Sequence, residues 1–169
     1  MMASYNIVTL NCKSLCDKTK RSNIFNWLLA KNIHIAFLQE TFIKKEIEKI
    51  VERDWAVMSY HNVCILLDKQ IDIVIESRFC DNVGRSILLN VTLDNQKITF
   101  INWYAPNNVE ERIRFLDDRM RWINIHALIH NYIIVAGDLN TIDDNIKRYS
   151  NRLDRFYTYF TYFKRYLNI

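Results

Sequence analysis

The chain has 169 residues, 50% hydrophobic and 25% charged, enough to bury one core and too few for two. Two glycines and one proline beside 13% aromatic residues exclude a disordered, collagen-like or linker-rich polymer, and the net charge of +4 permits a nucleic-acid partner without requiring one. No apolar run approaches the roughly 18 to 20 residues that span a bilayer, and the opening Met1 to Lys13 lacks the layout of a secretion signal, so an intracellular protein with no membrane partner is expected.

In chain order, Tyr5 to Leu10 reads as a strand. Ser22 to Lys31 reads as a helix, with Ile24, Trp27, Leu28 and Lys31 at helical spacing. Ile33 to Leu38 is a buried strand that ends abruptly in Gln39-Glu40-Thr41, and Phe42 to Glu52 a charged surface helix. Five apolar runs follow: Trp55 to Ser59, Val63 to Leu67, Ile71 to Ile75, Ser86 to Leu93 and Lys97 to Trp103. Asp94-Asn95-Gln96 has hairpin-turn composition, because Asp and Asn tolerate left-handed backbone. Asn108 with Glu111 has the layout of a helix start, and Val109, Ile113, Leu116, Met120, Ile123 and Ala127 continue it. Tyr132 to Ala136 is a last buried strand, ending in Gly137-Asp138-Leu139-Asn140. This order of elements predicts an α/β sandwich with mixed sheets over residues 1–149.

Residues 150–169 differ. Phe156, Tyr157, Tyr159, Phe160, Tyr162, Phe163 and Tyr166, interleaved with Arg and Lys, cover more of a helix than one core face absorbs. The segment reads as an atypical aromatic-basic C-terminal helix or tail. It is docked on the domain or covered by self-association or a missing partner portion, with stacking on single-stranded bases as the alternative. The cysteines, Cys12, Cys16, Cys64 and Cys80, form neither a complete zinc set nor a disulfide framework.

Two buried strands end in acids, Glu40 and Asp138, and strand ends are where a sheet holds rigid groups within reach of water and substrate. A hard cation such as Mg2+ takes carboxylate and amide oxygens, for which Asn11, Glu40, Asp138 and Asn140 are suitable. The same acids also serve as ordinary caps of the turns that follow. The four histidines, His34, His61, His126 and His130, are not placed as a catalytic base, and Arg85 is expected to pair with an acid at a sheet edge.

The order of blocks is more specific. Asn11 in Leu-Asn-Cys-Lys-Ser-Leu, then Leu38-Gln39-Glu40-Thr41, Gly84-Arg85, Asn102-Trp103-Tyr104-Ala105-Pro106-Asn107 and Ala136-Gly137-Asp138-Leu139-Asn140 resembles the endonuclease/exonuclease/phosphatase superfamily. Within it, the chain is most similar to the apurinic-type endonuclease domain of LINE-type (non-LTR) retrotransposons, from about Tyr5 to about Asp144. The resemblance implies a four-layered α/β sandwich, two facing mixed sheets flanked by helices, that hydrolyses phosphodiesters of DNA with Mg2+ or Mn2+. It implies metal binding by Asn11 and Glu40, phosphate contact by Tyr104, orientation of the attacking water by Asp138 and transition-state support by Asn140. A nuclear location follows if the chain derives from a retrotransposon.

The chain departs from the family pattern at Ser14 and Asn62, where glycine is usual, and in a shortened segment between Trp55 and Val63. No Ser-Asp-His occurs in it, so the expectation is the N-terminal and middle portion of the domain, incomplete at the C-terminus and impaired in cleavage. Two alternatives stay open. One is another superfamily phosphodiesterase or phosphatase acting on a phospholipid, inositol phosphate or RNA. The other is a non-catalytic nucleic-acid-binding relic of the fold.

Overall fold

The computed structural model describes residues 4–127 and 132–140. The aromatic-basic segment 150–169 and His130 lie outside the described residues. The chain divides into two compact units, residues 1–104 with 128–138 and residues 105–127 with 139–169.

The first unit holds β1 (Ile7–Asn11), α1 (Lys18–Ala30), β2 (Ile35–Gln39), α2 (Lys45–Val51), β3 (Trp55–Tyr60), β4 (Val63–Asp68), β5 (Ile73–Cys80), β6 (Ser86–Leu93), β7 (Gln96–Tyr104) and the strand Tyr132–Asp138. The strands form two four-stranded mixed sheets. The first has the order β1-β2-β4-β3, and in the second β5, β6 and β7 are followed by Tyr132–Asp138, which is β8. In the first sheet β1 and β2 are parallel, and in the second β7 and β8 are.

Every residue of β2 is buried, and alternate side chains serve two cores. Ile35 and Phe37 join Val63, Ile65, Leu67, Ile87, Leu89, Val91 and Phe100 between the sheets, where the Phe37 and Phe100 rings meet edge to face at 5.8 Å. Ala36 and Leu38 point the other way, into a core shared with Leu28 of α1, Val51 of α2 and Trp55. Around that core Ile24 and Phe25 pack from α1, whereas Trp27, expected on the same stripe, is 44% exposed.

Polar groups also link the sheets. The fully buried Asn102 of β7 donates through Nδ2 to the carbonyls of Leu38 (3.0 Å) and Cys64 (2.8 Å) and accepts at Oδ1 from Gln39 Nε2 (2.7 Å). At the open side of the sandwich, Arg78 of β5 donates to the Ser59 carbonyl of β3 at 2.8 Å.

Several elements differ in extent from their sequence reading, for local reasons. The first helix begins earlier, at Lys18, because Asp17 caps it by accepting from Lys20 N at 2.7 Å. The second is shorter than Phe42 to Glu52, because Glu40 and Phe42 take left-handed backbone (φ 50° and 49°) that no helix can begin with. The strand expected at Ile71 to Ile75 runs instead from Ile73 to Cys80. Its exposed Val74, Glu76 and Arg78 alternate with inward residues, as on a strand with one wet face. The Asp94-Asn95 turn forms with φ 49° and 62°, the left-handed pair that a two-residue hairpin requires.

The second unit contains α3 (Val109–His126), whose N-cap Asn108 accepts from the amides of Glu110 and Glu111 at 2.9 and 3.1 Å. Among the described residues no helix is long and apolar enough to cross a membrane.

Candidate active site

The carboxyl ends of the two parallel strand pairs bring four of the expected side chains together. Asn11 is register partner to Gln39, so Glu40 is the next residue beyond that pair, and Tyr104 is register partner to Asp138. Strands β1 and β8 meet across the two sheets. As a result one atom, Asn11 Nδ2, donates to Glu40 Oε1 at 2.9 Å and to Asp138 Oδ2 at 2.8 Å. The Tyr104 hydroxyl donates to the same Glu40 Oε1 at 2.9 Å.

The loop after β1 is stitched to the loop after β2, which holds Asn11 against Glu40. Cys12, Ser14 and Leu15 donate their amides to the carbonyls of Gln39, Glu40 and Thr41 at 2.8, 2.7 and 2.9 Å. That path requires left-handed backbone at Lys13 (φ 46°) and Ser14 (φ 74°), which explains physically why glycine suits the Ser14 position. The amide of Lys13 donates to Asn11 Oδ1 at 3.0 Å, which turns Nδ2 toward the carboxylates. Glu40 itself is left-handed, a conformation that costs a non-glycine residue on the order of 1 kcal/mol and gathers at functional sites.

On the other sheet Gly137, with φ 145°, sits so close to β7 that a Cβ there would lie 2.0 Å from the Trp103 carbonyl oxygen. Only glycine lets β8 close on β7 and deliver Asp138 beside Tyr104. Burial, and next the Glu40 oxygen that accepts its proton, push the Tyr104 phenol above its ordinary value, with Arg85 opposing. Tyr104 is therefore a neutral donor at physiological pH.

Arg85 departs from expectation. Rather than pairing its guanidinium with an acid, it donates to the Tyr104 carbonyl at 3.1 Å and lies 4.9 Å from the centre of the Tyr104 ring. The acid near it, Asp81, instead accepts from the backbone amides of Arg85 and Ser86, holding the turn. His61 occupies a two-residue turn between β3 and β4, the shortened segment of the sequence, and packs against Gly84. Asn140, two residues past Asp138, falls in the second unit, where its Nδ2 donates to the Ala105 carbonyl at 2.7 Å.

Cys12, next to Asn11, is buried, and its thiol is pushed up to about 12 by that burial. Cys64 is fully buried, and its thiol is pushed up further by the same cause.

The donor set suits a hard cation. Two carboxylates from facing sheets share one small space, hard oxygen donors of the kind Mg2+ binds while keeping several waters, and the Asn11 amide, which now turns its nitrogen to them, would present its oxygen after a flip about its last side-chain bond. No cluster of three or more His, Cys, Asp or Glu occurs among the described residues.

Comparison with known proteins agrees with this architecture. Residues 3–166 match the profile of the Endonuclease/Exonuclease/phosphatase family, beyond the Tyr5 to Asp144 span expected from motifs. Among solved structures, the endonuclease domain of TRAS1, a telomere-specific non-LTR retrotransposon, superposes with a TM-score of 0.68 at 14% identity, over 97% of this chain and 71% of that one. An AP endonuclease from Archaeoglobus fulgidus gives 0.66 at 17% identity, over 95% of this chain and 71% of that one. The D. rerio TDP2 complexed with single strand DNA product gives 0.65 at 17% identity, covering 82% of this chain and 62% of that one. The chain thus spans less than two thirds of the TDP2 chain, and at these identities the likeness is one of fold. With nearly its whole length matched by the profile and two facing mixed sheets carrying the motif residues to one edge, the chain belongs to the endonuclease/exonuclease/phosphatase family.

Proposed function

We propose that this chain carries the phosphodiester-hydrolysing site of a Mg2+-dependent DNA endonuclease of the LINE-retrotransposon type. The observation that carries the reading is the single Asn11 nitrogen bridging Glu40 and Asp138 from opposite sheets, with Tyr104 on the same Glu40 oxygen. In this reading Glu40 would hold the cation with Asp138 beside it, and Asn11 would join through its Oδ1 once its amide flips and the Nδ2 bonds to the two carboxylates are released. When bound, Mg2+ supplies positive charge that offsets the charge of the phosphate as the transition state forms.

The remaining chemistry belongs to the chain's own residues. Tyr104 is neutral and donates a hydrogen bond that a phosphate oxygen accepts as well as a carboxylate does, so it binds and orients the diester. Asp138 accepts a hydrogen bond from the attacking water and aligns it. DNA as substrate draws support from the TRAS1 endonuclease domain and from the DNA product in the TDP2 structure, both similar in fold. A nuclear location goes with the retrotransposon reading.

The test is conversion of supercoiled plasmid to nicked circles by the purified chain. We expect slow nicking that requires Mg2+ and stops with a chelator. It should be slower than in a chain containing Ser-Asp-His, because general acid and base groups supply about 10²- to 10⁴-fold. DNA binding that weakens with salt but gives no Mg2+-dependent nicking would replace this reading with that of a non-catalytic nucleic-acid-binding protein.

A further inference from the structure

One buried contact directly beneath the site is not accounted for by packing alone. Asn102 and Gln39, 0% and 1% exposed, come from different sheets and are 63 residues apart in sequence, yet their amides meet at 2.7 Å. Asn102 uses both its donors and its acceptor oxygen. Its two N–H groups reach the carbonyls of Leu38 and Cys64, and its oxygen takes the Gln39 proton. Gln39 Nε2 also reaches Thr9 Oγ1 at 3.2 Å and the Phe37 carbonyl at 3.0 Å, so β1, β2, β4 and β7 are joined through two side chains. A hydrogen-bonded buried polar network specifies one arrangement where an apolar layer would tolerate sliding.

The location of the network gives it a role. Glu40 follows Gln39 directly, and Tyr104 follows Asn102 by two residues, on the same face of β7. The Tyr104 to Glu40 hydrogen bond therefore spans the same gap between sheets one layer further out. Relative motion of the sheets at the Asn102 layer is transmitted to that bond, because both partners sit on the clamped strands.

We propose that Asn102 and Gln39 are positioning residues, a buried amide clamp that fixes Tyr104 against Glu40 across the two sheets. Its catalytic consequence rests on the phosphodiesterase reading above, whereas its structural consequence does not.

The test uses the full chain with Asn102→Leu, and Gln39→Met as a second variant in case the first does not fold. Thr99→Val serves as a control. It breaks another fully buried side-chain bond of the same sheet, Thr99 Oγ1 to Asn90 Oδ1 at 2.7 Å, five residues along β7 from Tyr104. Replacing Tyr104 with 3-fluorotyrosine in each background supplies a fluorine NMR signal at the site that does not depend on activity.

In Asn102→Leu and Gln39→Met we expect the fluorine resonance to shift or split. In the unlabelled variants kcat should fall by about 10²-fold, the cost of a displacement near 1 Å, with KM within about threefold. Thr99→Val should lower the melting temperature yet keep both the resonance and kcat. A resonance unmoved in both clamp variants overturns the proposal whatever kcat does. If the unaltered chain cleaves no phosphodiester, the functional reading fails separately, and the fluorine signal still decides the clamp.

Discussion

Glu40→Ala should lower Mg2+-dependent cleavage by about 10³-fold, which corresponds to about 4 kcal/mol of transition-state stabilisation. The size follows from how much converges on this carboxylate. Its Oε1 accepts from both Asn11 and Tyr104, and it is one of the two acids at the proposed cation position. Removing it takes away a cation ligand and leaves the Tyr104 hydroxyl without the acceptor that orients it. Plasmid nicking should be accompanied by hydrolysis of a bis(p-nitrophenyl) diester, whose leaving group departs without a proton. That substrate should suffer less than DNA from the lack of a Ser-Asp-His histidine, yet lose as much from Glu40→Ala. Stability should move the other way in Glu40→Gly, because glycine relieves the left-handed backbone at φ 50°. A chain that loses activity and gains melting temperature on that change shows strain held for function. Cleavage that persists in Glu40→Ala would remove both the cation and the Tyr104 assignments.

Gly137→Ala should be among the most damaging single-methyl additions to this chain, at about 3 kcal/mol. Two costs combine: a side chain at φ 145°, and a Cβ 2.0 Å from the Trp103 carbonyl oxygen and 2.8 Å from its carbonyl carbon and amide nitrogen. The close atoms are backbone of a buried strand, so relief requires parting β8 from β7 rather than rotating a side chain. Strained backbone costs about 1 to 3 kcal/mol, and overpacking a similar amount. A fall in melting temperature of about 10 °C by calorimetry would match that size for a chain of this length. Because Asp138 is the next residue, cleavage measured well below the new melting temperature should fall too. A melting temperature within about 2 °C of the unaltered chain would mean that β8 closes on β7 less tightly than described.

The sequence made some of this legible and hid the rest. Runs that became β2, β4 and β6 are apolar on both faces, and such strands announce themselves without periodicity. Asn108 and the Asp94-Asn95 turn were readable because capping and left-handed turns act over a few neighbouring residues. The outer half of β5 was not, since Glu76 and Arg78 face water and break the apolar run. Nor was the sheet order, in which β2 lies beside β4 rather than β3, because pairing between distant strands leaves no local pattern. At the site, Glu40 and Asp138 stood out as acids ending buried strands and Asn11 as an amide suited to a hard cation, whereas Tyr104 came only from the order of motifs. The Gln39 to Asn102 amide contact gave no signal at all. Either residue alone reads as an ordinary polar position at a strand end.

The two buried thiols give the molecule an internal gauge of opening. Thiolates, not thiols, react with alkylating reagents, and Cys12 and Cys64 are both covered and held protonated. In a background where the exposed Cys16 and the partly buried Cys80 are changed to serine, labelling therefore has to wait for the structure to part. Cys12 lies in the loop stitched to Glu40, and Cys64 lies in the middle of a four-stranded sheet. Local fraying should expose Cys12 well before the cooperative unfolding that exposes Cys64. If the proposed cation site forms, Mg2+ should slow alkylation of Cys12 more than that of Cys64, since a ligand protects most the opening that destroys its own site. Two rates of modification, followed by mass spectrometry, thus separate breathing of the loop that follows Asn11 from melting of the sheet behind it.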